Sequence, residues 1–215
     1  MSQFFKYLVV LYTALITVAV AQPVPSSVRS AAFLEAIATR GLECGLLKPW
    51  QASALRALNL SDMERWPETR RASLGDEIKR SLAERDCEDK GVAAWIEGAS
   101  RGFDSEMLPP YLIVYRSLAQ LENPPAVFSS TTTRLRYDPA IEAINSKLSA
   151  LEASDMKPEG GGQWPEYIAG IEKAAGDFVA TLANENAAPS ERDQASVWIA
   201  QSAHIVELWL LEEEK

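Results

Sequence analysis

A serine flanked by glycines is the most specific chemical pattern in the sequence. Residues 98–102 read Gly-Ala-Ser-Arg-Gly, the G-x-S-x-G form in which a nucleophilic serine is presented on a tight turn. The only histidine, His204, lies downstream of Ser100, and four aspartates lie between them: Asp138, Asp155, Asp177 and Asp193. The order serine, aspartate, histidine is therefore available for catalysis in which a histidine activates the serine hydroxyl.

The residues around this serine do not favour that chemistry. In α/β-hydrolases a strand delivers the serine to the turn, a helix leads away from it, and a parallel sheet surrounds both. Here an apolar stripe at helical spacing precedes the motif, and Pro109-Pro110 would interrupt a helix after it. His204 itself lies in a strongly helical segment. We therefore interpret Ser100 as a small residue at a helix end, and a serine hydrolase stays the alternative hypothesis.

Two glutamates could supply the acid for cleavage of a glycosidic bond. Such an acid is a carboxyl group whose pKa is raised by an apolar cleft, which a helical domain can provide. Glu43 precedes Cys44 and a turn, and Glu106 precedes Pro109-Pro110. Neither position is specific, because the chain has 30 acidic side chains. Glycan cleavage by Glu43 or Glu106 is the second form of the hydrolase hypothesis.

The sequence predicts no metal site and no cofactor. One histidine cannot supply a multi-histidine site, and the C-x-x-C-H motif of covalently bound haem is absent. Three methionines, Met63, Met107 and Met156, are too scattered to indicate a copper site. The glycines at 160–162 lack the lysine and hydroxyl residue of a phosphate-binding loop.

Three of the six tryptophans, Trp50, Trp66 and Trp164, lie beside prolines at the ends of predicted helices. Large aromatic side chains dominate helix packing, so most tryptophans should belong to the core. Exposed aromatic patches mark binding sites, so these three form a candidate ligand or partner surface if two of them share an exposed face. A groove lined by Trp50, Tyr111 and Tyr115 would also indicate ligand binding.

The first 21 residues predict a cleavable secretory signal peptide. Lys6 is the only charged side chain before an uncharged run, and Ala19-Val20-Ala21 forms an A-x-A cleavage site. As a helix, residues 7–21 span about 22 Å, less than the roughly 30 Å of a membrane's hydrocarbon core. We expect a mature chain that begins near Gln22, is periplasmic or secreted, and does not insert into a membrane after cleavage.

The two cysteines, Cys44 and Cys87, are expected to form one structural disulfide. An exported chain passes through an oxidising compartment, where thiols within reach of each other pair. Only one pairing is possible, and closing the loop between them stabilises the fold by about 4 kcal/mol in the chain-entropy model. Two buried free thiols or a redox pair are the alternatives, and the lack of C-x-x-C spacing argues against a redox pair.

The net charge limits the classes of partner. The chain carries a net charge of −9, and removal of the leader takes Lys6 away and leaves −10. Nucleic acids and anionic membrane surfaces attract proteins with cationic side chains. We therefore expect no nucleic-acid partner, and a protein or an envelope component as the binding partner.

Helical periodicity dominates after Ser26 and predicts an all-α fold, an irregular antiparallel bundle of about seven or eight helices with one disulfide. Ser26 or Ser27 is expected to cap the first helix, and Gly45 to end it. Ser61-x-x-Glu64 is a capping box that predicts a separate short helix.

The chain divides into two helical parts. Residues 22–122 form the N-terminal part with both cysteines, residues 123–137 a connecting loop, and residues 138–215 a three-helix C-terminal part packed on the first as one domain. Residues 133–137 within the loop alternate like a strand, but no second strand is evident to pair with them.

Together these features predict an exported helical binding or structural module of the cell envelope, without an identified catalytic site. The alternative is an envelope hydrolase. That alternative requires the Ser100 hydroxyl to lie within hydrogen-bonding distance of His204, or Glu43 or Glu106 to line a cleft.

Overall fold

The computed structural model describes residues 25–63, 66–132, 138–158 and 160–214. This part of the chain forms nine α-helices and one π-helical turn, with no β-strand. The all-α prediction is confirmed, with nine helices rather than seven or eight. The predicted signal peptide at residues 1–21 and the strand-like residues 133–137 lie outside the described residues.

The helices are, in chain order, α1 (Ser26–Glu43), α2 (Pro49–Met63), α3 (Glu68–Ala83), α4 (Lys90–Gly102), α5 (Leu108–Ala119), α6 (Ala126–Thr131), α7 (Asp138–Glu152), α8 (Trp164–Ala183) and α9 (Pro189–Glu213). Helix α9 packs against α2, α5, α6 and α8, and α5 also packs against α7 and α8. Helix α1 packs against α2 and α3. None of the described helices is long and apolar enough to cross a membrane.

One core of buried apolar side chains runs through both predicted parts of the chain. It includes Trp50 of α2, Leu112 of α5, Ile144 of α7 and Ile199 of α9. A second and smaller cluster lies between α1 and α3 and consists of Val28, Ala31, Ala32, Trp66 and Leu74. Helix α3 therefore contributes little buried apolar surface to its contact with α1.

Pro109 and Pro110 are the second and third residues of α5, which directly follows a π-helical turn that joins it to α4. Helical backbone runs from α4 through the turn Phe103–Met107 into α5. Proline lacks an N–H group, and its ring clashes with the carbonyl four residues earlier in an α-helix. The wider turn, in which the Leu108 N–H donates to the Phe103 carbonyl, relieves that conflict. Phe103 and Leu108 are five residues apart and both fully buried, so the apolar stripe continues across the turn.

A short helix lies within the predicted connecting loop. Helix α6 has only six residues, too few for a recognisable periodicity. It is held by Phe128, which is fully buried and lies 5.2 Å from the Tyr115 ring, centroid to centroid. The Thr132 hydroxyl, directly after α6, hydrogen-bonds the Tyr115 hydroxyl at 3.1 Å and also the Glu207 carboxylate of α9. Tertiary contacts, rather than local pattern, therefore order this segment.

Two capping predictions are wrong. Ser61 does not begin a separate helix, because α2 continues through it to Met63. Ser26 is the first residue of α1 rather than its cap, with Pro25 in the capping position and no side-chain hydrogen bond at that end. Capping residues are local preferences, and a helix that packs along its length can extend past them.

A disulfide and an arginine join the end of α1 to the end of α3. Cys44, directly after α1, is bonded to Cys87, in the connection between α3 and α4, with their Cα atoms 5.3 Å apart. The Arg40 Nε donates to the Arg85 carbonyl at 3.0 Å, and its Nη2 donates to a carbonyl of α3 at 3.2 Å. Gly45 has a φ of +67°, the left-handed conformation predicted for this helix end. The predicted disulfide is confirmed.

Gly41 is the point of closest approach between α1 and the turn that follows it. A Cβ atom there would lie 2.4 Å from Cδ1 of Leu47, which is buried. We expect Gly41→Ala to lower the free energy of unfolding by about 1–3 kcal/mol, because Leu47 must leave its position. The control is Gly75→Ala in α3, where no described atom lies within 4 Å of the added Cβ. Alanine's higher helix propensity should there raise the free energy of unfolding by about 0.5–1 kcal/mol.

Urea denaturation of both variants measures these two changes. Equal effects of Gly41→Ala and Gly75→Ala would contradict the close packing of Gly41 against Leu47.

Candidate ligand-binding cavity

Ser100 and His204 are not joined as a catalytic pair. Ser100 is exposed in α4, and its hydroxyl donates to the Glu97 carbonyl of the same helix at 2.9 Å. The motif lies wholly within α4, so no strand and tight turn present the serine. His204 is exposed on α9, and no hydrogen bond joins it to Ser100 in the described part of the chain. The serine hydrolase hypothesis lacks the contact on which it depends.

The structure does not place either candidate glutamate in the two cavities that its described residues form. The Glu43 side chain is half exposed and pairs with Arg40, one turn earlier in α1. Glu106 lies in the π-helical turn and interacts with other residues. Neither lines either of the two cavities described below. Among the residues that the structure describes, no three histidine, cysteine, aspartate or glutamate side chains come together as metal ligands.

The three tryptophans predicted as a ligand or partner surface are buried. Their exposed fractions are 1% for Trp50, 7% for Trp66 and 5% for Trp164. Trp50 packs edge-on against Phe103, and Trp66 belongs to the small cluster between α1 and α3. Trp164 donates its indole N–H to the Met156 carbonyl at 3.0 Å. The condition for a binding surface, two of them exposed on one face, is not met.

A wide groove of about 770 Å³ lies between the end of α5 and α7. Its lining is mainly polar and includes Asp138, Glu142 and Asn145. The Asn145 Oδ1 accepts a hydrogen bond from Arg116 at 3.0 Å, and Arg116 also pairs with Glu172 at 2.9 Å. The two acidic side chains are exposed to water. Small-molecule sites are typically enclosed and mostly apolar, so this wide polar groove is a weaker candidate than an enclosed cavity.

A smaller cavity of about 140 Å³ lies where α2, α5 and α9 meet. We call it the Tyr111–Trp198 cavity, and it is lined by Ala57, Leu58, Tyr111, Gln194, Val197, Trp198 and Gln201. It is largely enclosed, because α9 packs against both other helices. None of these seven side chains carries a charge. The cavity brings together residues from three helices that are far apart in the sequence.

Tyr111 is a buried residue of this lining whose side chain carries a hydroxyl group. The residue is 6% exposed, and its hydroxyl makes no hydrogen bond with any residue that the structure describes. Tyr115, one turn later in α5, differs in this respect, because its hydroxyl bonds Thr132 at 3.1 Å and Glu207 at 3.2 Å. Burial raises the pKa of Tyr111 to about 12. The hydroxyl is therefore neutral and can both donate and accept a hydrogen bond.

Trp198 is the middle ring of three stacked aromatic side chains. Its ring lies 6.1 Å from that of Tyr111, at an angle of 29°. It lies 5.8 Å from the ring of Phe178 in α8, at an angle of 20°. Rotation of the indole would break both contacts, so the stack holds this wall of the cavity in one orientation.

Two more polar groups of the lining are without a hydrogen bond to the described residues. These are the Gln201 amide and the Trp198 indole N–H, whereas Gln194 does interact with other residues. The amide offers a donor and an acceptor, and the indole offers a donor. A few uncharged polar groups among apolar and aromatic side chains are typical of a site for a small molecule.

No protein-family model, curated protein or solved structure matches this chain. The ligand of the Tyr111–Trp198 cavity must therefore be inferred from the chemistry of its lining. That lining is neutral, partly aromatic and mostly enclosed.

The sequence pointed to only part of this cavity. It placed Tyr111 in a possible groove with Trp50 and Tyr115. In the structure Tyr111 does line a cavity, but its neighbours there are Trp198 and residues of α2 rather than Trp50 and Tyr115. The run at residues 111–115 is apolar throughout, so its periodicity cannot tell which side chain faces a cavity and which faces the core.

The free energy of unfolding is expected to fall between pH 10 and 12. In that range Tyr111 is ionised in the unfolded chain but still protonated in the folded chain. Burial raises its pKa from 10.0 to about 12. The stabilising contribution of the neutral hydroxyl is complete below pH 10 and is lost as the pH rises through the folded-state pKa. A shift of this size corresponds to about 3 kcal/mol.

Urea denaturation of the wild type and of Tyr111→Phe across this pH range measures the effect. All other titrating groups are common to both proteins, so the difference between their free energies of unfolding should change by about 3 kcal/mol. A difference that does not vary with pH would contradict the prediction.

Proposed function

We propose that this chain is an exported, non-catalytic binding protein of the cell envelope, whose binding site is the Tyr111–Trp198 cavity. The observation that carries the proposal is a largely enclosed, uncharged cavity whose lining includes Tyr111, a buried residue whose hydroxyl makes no hydrogen bond with the described protein. A hydroxyl without a partner in the protein is available to donate to a ligand and to accept from it. A ligand that enters the cavity can form this bond while it displaces water from the apolar lining, which favours binding at this position.

A small envelope component fits the cavity better than a protein partner does. Stable protein interfaces bury about 1,200–2,000 Å² in total, which requires a broad exposed surface. The cavity is enclosed, and the large apolar side chain at its edge, Leu58, is 41% exposed. The other exposed large apolar side chains in the described structure lie on separate segments: Leu46, Leu121, Met156 and Leu211.

Export is supported by the leader and by the disulfide. The leader rests on its sequence pattern, and the Cys44–Cys87 bond is typical of proteins that mature in an oxidising compartment. Expression of the full chain in a bacterium should yield a periplasmic or secreted, oxidised protein that begins at Gln22, as measured by intact mass. A cytoplasmic chain that retains the leader would contradict export.

Binding is tested on the mature, oxidised protein with four probes: phenol, benzene, cyclohexanol and benzoate. Proton–nitrogen NMR spectra report binding, with the indole N–H of Trp198 as the signal from the cavity wall. At least one probe is expected to shift this signal in a saturable manner. If no probe does so, the proposed function is overturned.

A cavity-filling variant shows whether the binding occurs at this place. Ala57→Leu places a larger side chain in the cavity, and the matched control is Ala180→Leu on the exposed side of α8. Binding should be lost in the first variant and kept in the second, with circular dichroism confirming that both are folded. If Ala57→Leu does not fold, Val197→Phe fills the cavity from α9 instead. Equal binding by a filled variant and the wild type would overturn the site.

A further inference from the structure

We infer that the ligand of the Tyr111–Trp198 cavity is a neutral molecule with a single aromatic ring and one hydroxyl group, about the size of phenol. The inference rests on the proposed function and specifies what the same cavity binds. Four properties of the cavity carry it: its volume, its aromatic walls, its lack of charge and its unengaged polar groups.

The volume limits the ligand to one ring. The cavity holds about 140 Å³. Sites for drug-sized ligands are typically about 300–1,000 Å³, whereas an apolar cavity of about 150 Å³ in a protein core binds one molecule of benzene. A six-membered ring with one small substituent therefore fills the space, and a fused ring system exceeds it.

The walls favour an aromatic ring over an aliphatic one of the same size. The rings of Tyr111 and Trp198 both line the cavity, and the Phe178 contact holds Trp198 in place. Aromatic pairs interact through ring edges and faces in addition to apolar burial. Phenol is therefore expected to bind about threefold to tenfold more tightly than cyclohexanol, which has a similar volume and the same hydroxyl.

The lack of charge favours a neutral ligand. No lysine, arginine, aspartate or glutamate lines the cavity, and the Tyr111 hydroxyl stays protonated at neutral pH. An ionised ligand would lose its hydration without gaining a partner of opposite charge. Benzoate is therefore expected to bind at least about 100-fold more weakly than phenol at neutral pH.

The unengaged polar groups select for a hydroxyl substituent. The Tyr111 hydroxyl can donate and accept, and the Gln201 amide supplies a second donor and acceptor. Neither group is hydrogen-bonded within the described protein. A ligand hydroxyl can exchange hydrogen bonds with one or both, which benzene cannot do.

The test compares dissociation constants from NMR titrations of the mature, oxidised protein. Tyr111→Phe retains the ring and removes the hydroxyl. This variant is expected to bind phenol about threefold to tenfold more weakly than the wild type and to bind benzene within about twofold of it. Phenol should bind most tightly of the four probes to the wild type.

Three results would overturn the inferred ligand class but leave the proposed function standing, because a ligand would still bind in the cavity. These are benzoate binding as tightly as phenol, cyclohexanol binding more tightly than phenol, and Tyr111→Phe weakening benzene as much as phenol. Probes that bind equally well to Ala57→Leu would overturn both the ligand class and the site. A wild type that binds no probe, so that its cavity holds only water, would also overturn both.

Discussion

Replacing Cys44 and Cys87 by serine is expected to lower the free energy of unfolding by about 4 kcal/mol. The disulfide joins residues that are 43 positions apart, and closing a loop of that length restricts the unfolded chain by about this amount. Domains of this kind have net stabilities of roughly 5–15 kcal/mol, so a large share is lost. Urea denaturation of the double variant measures the change, and the wild type in reducing agent should give the same value.

The loss should be seen first in α3. This helix packs on α1 through the small cluster around Trp66 and Leu74, and the Arg40 hydrogen bonds tie its C-terminal end to α1. Hydrogen exchange of the double variant should therefore rise over α3 well before it rises over α5, whose side chains lie in the main core. A uniform rise over all helices, or a loss below about 1 kcal/mol, would contradict this role of the disulfide.

Trp50→Ala is expected to lower the free energy of unfolding by about 3–5 kcal/mol. The Trp50 side chain is 1% exposed and lies edge-on to Phe103, with 6.2 Å between the ring centroids. It therefore joins the start of α2 to the π-helical turn. Removing the indole leaves a cavity that neighbouring helices can fill only in part, because α2 is also held against α9.

The control for this variant is Leu211→Ala in α9. Leu211 is 48% exposed, so its truncation should cost less than about 1 kcal/mol. Urea denaturation of both variants measures the two losses. If Trp50→Ala lost as little stability as the control, Trp50 would again be a candidate for a binding surface rather than a core residue.

Most helices could be predicted because their signals are local. The starts of α7 and α9 coincide with Asp138 and Pro189, and α1 ends before Gly45, whose left-handed conformation suits glycine. Apolar spacing and terminal residues act within one or two turns, so a single segment contains the information.

Two segments could not be predicted in this way. Pro109-Pro110 indicated a break, yet the chain keeps its helical course by widening one turn, because the apolar stripe on both sides must stay in the same core. Helix α6 is too short to stand alone and is ordered by the burial of Phe128. In both cases distant packing decides between conformations that the local sequence leaves open.

The same contrast between local signals and distant packing applies to the candidate site. By itself the sequence determined the all-α class, because helical periodicity is local, and it limited any disulfide within the chain to Cys44 with Cys87, because two cysteines allow one pairing. Only the tertiary structure decided that Trp50 lies in the core and that Tyr111 meets Trp198 at a cavity. The physical reason is that an apolar helix does not specify which neighbour covers each face, and that choice is made by the packing of α2, α5 and α9 together.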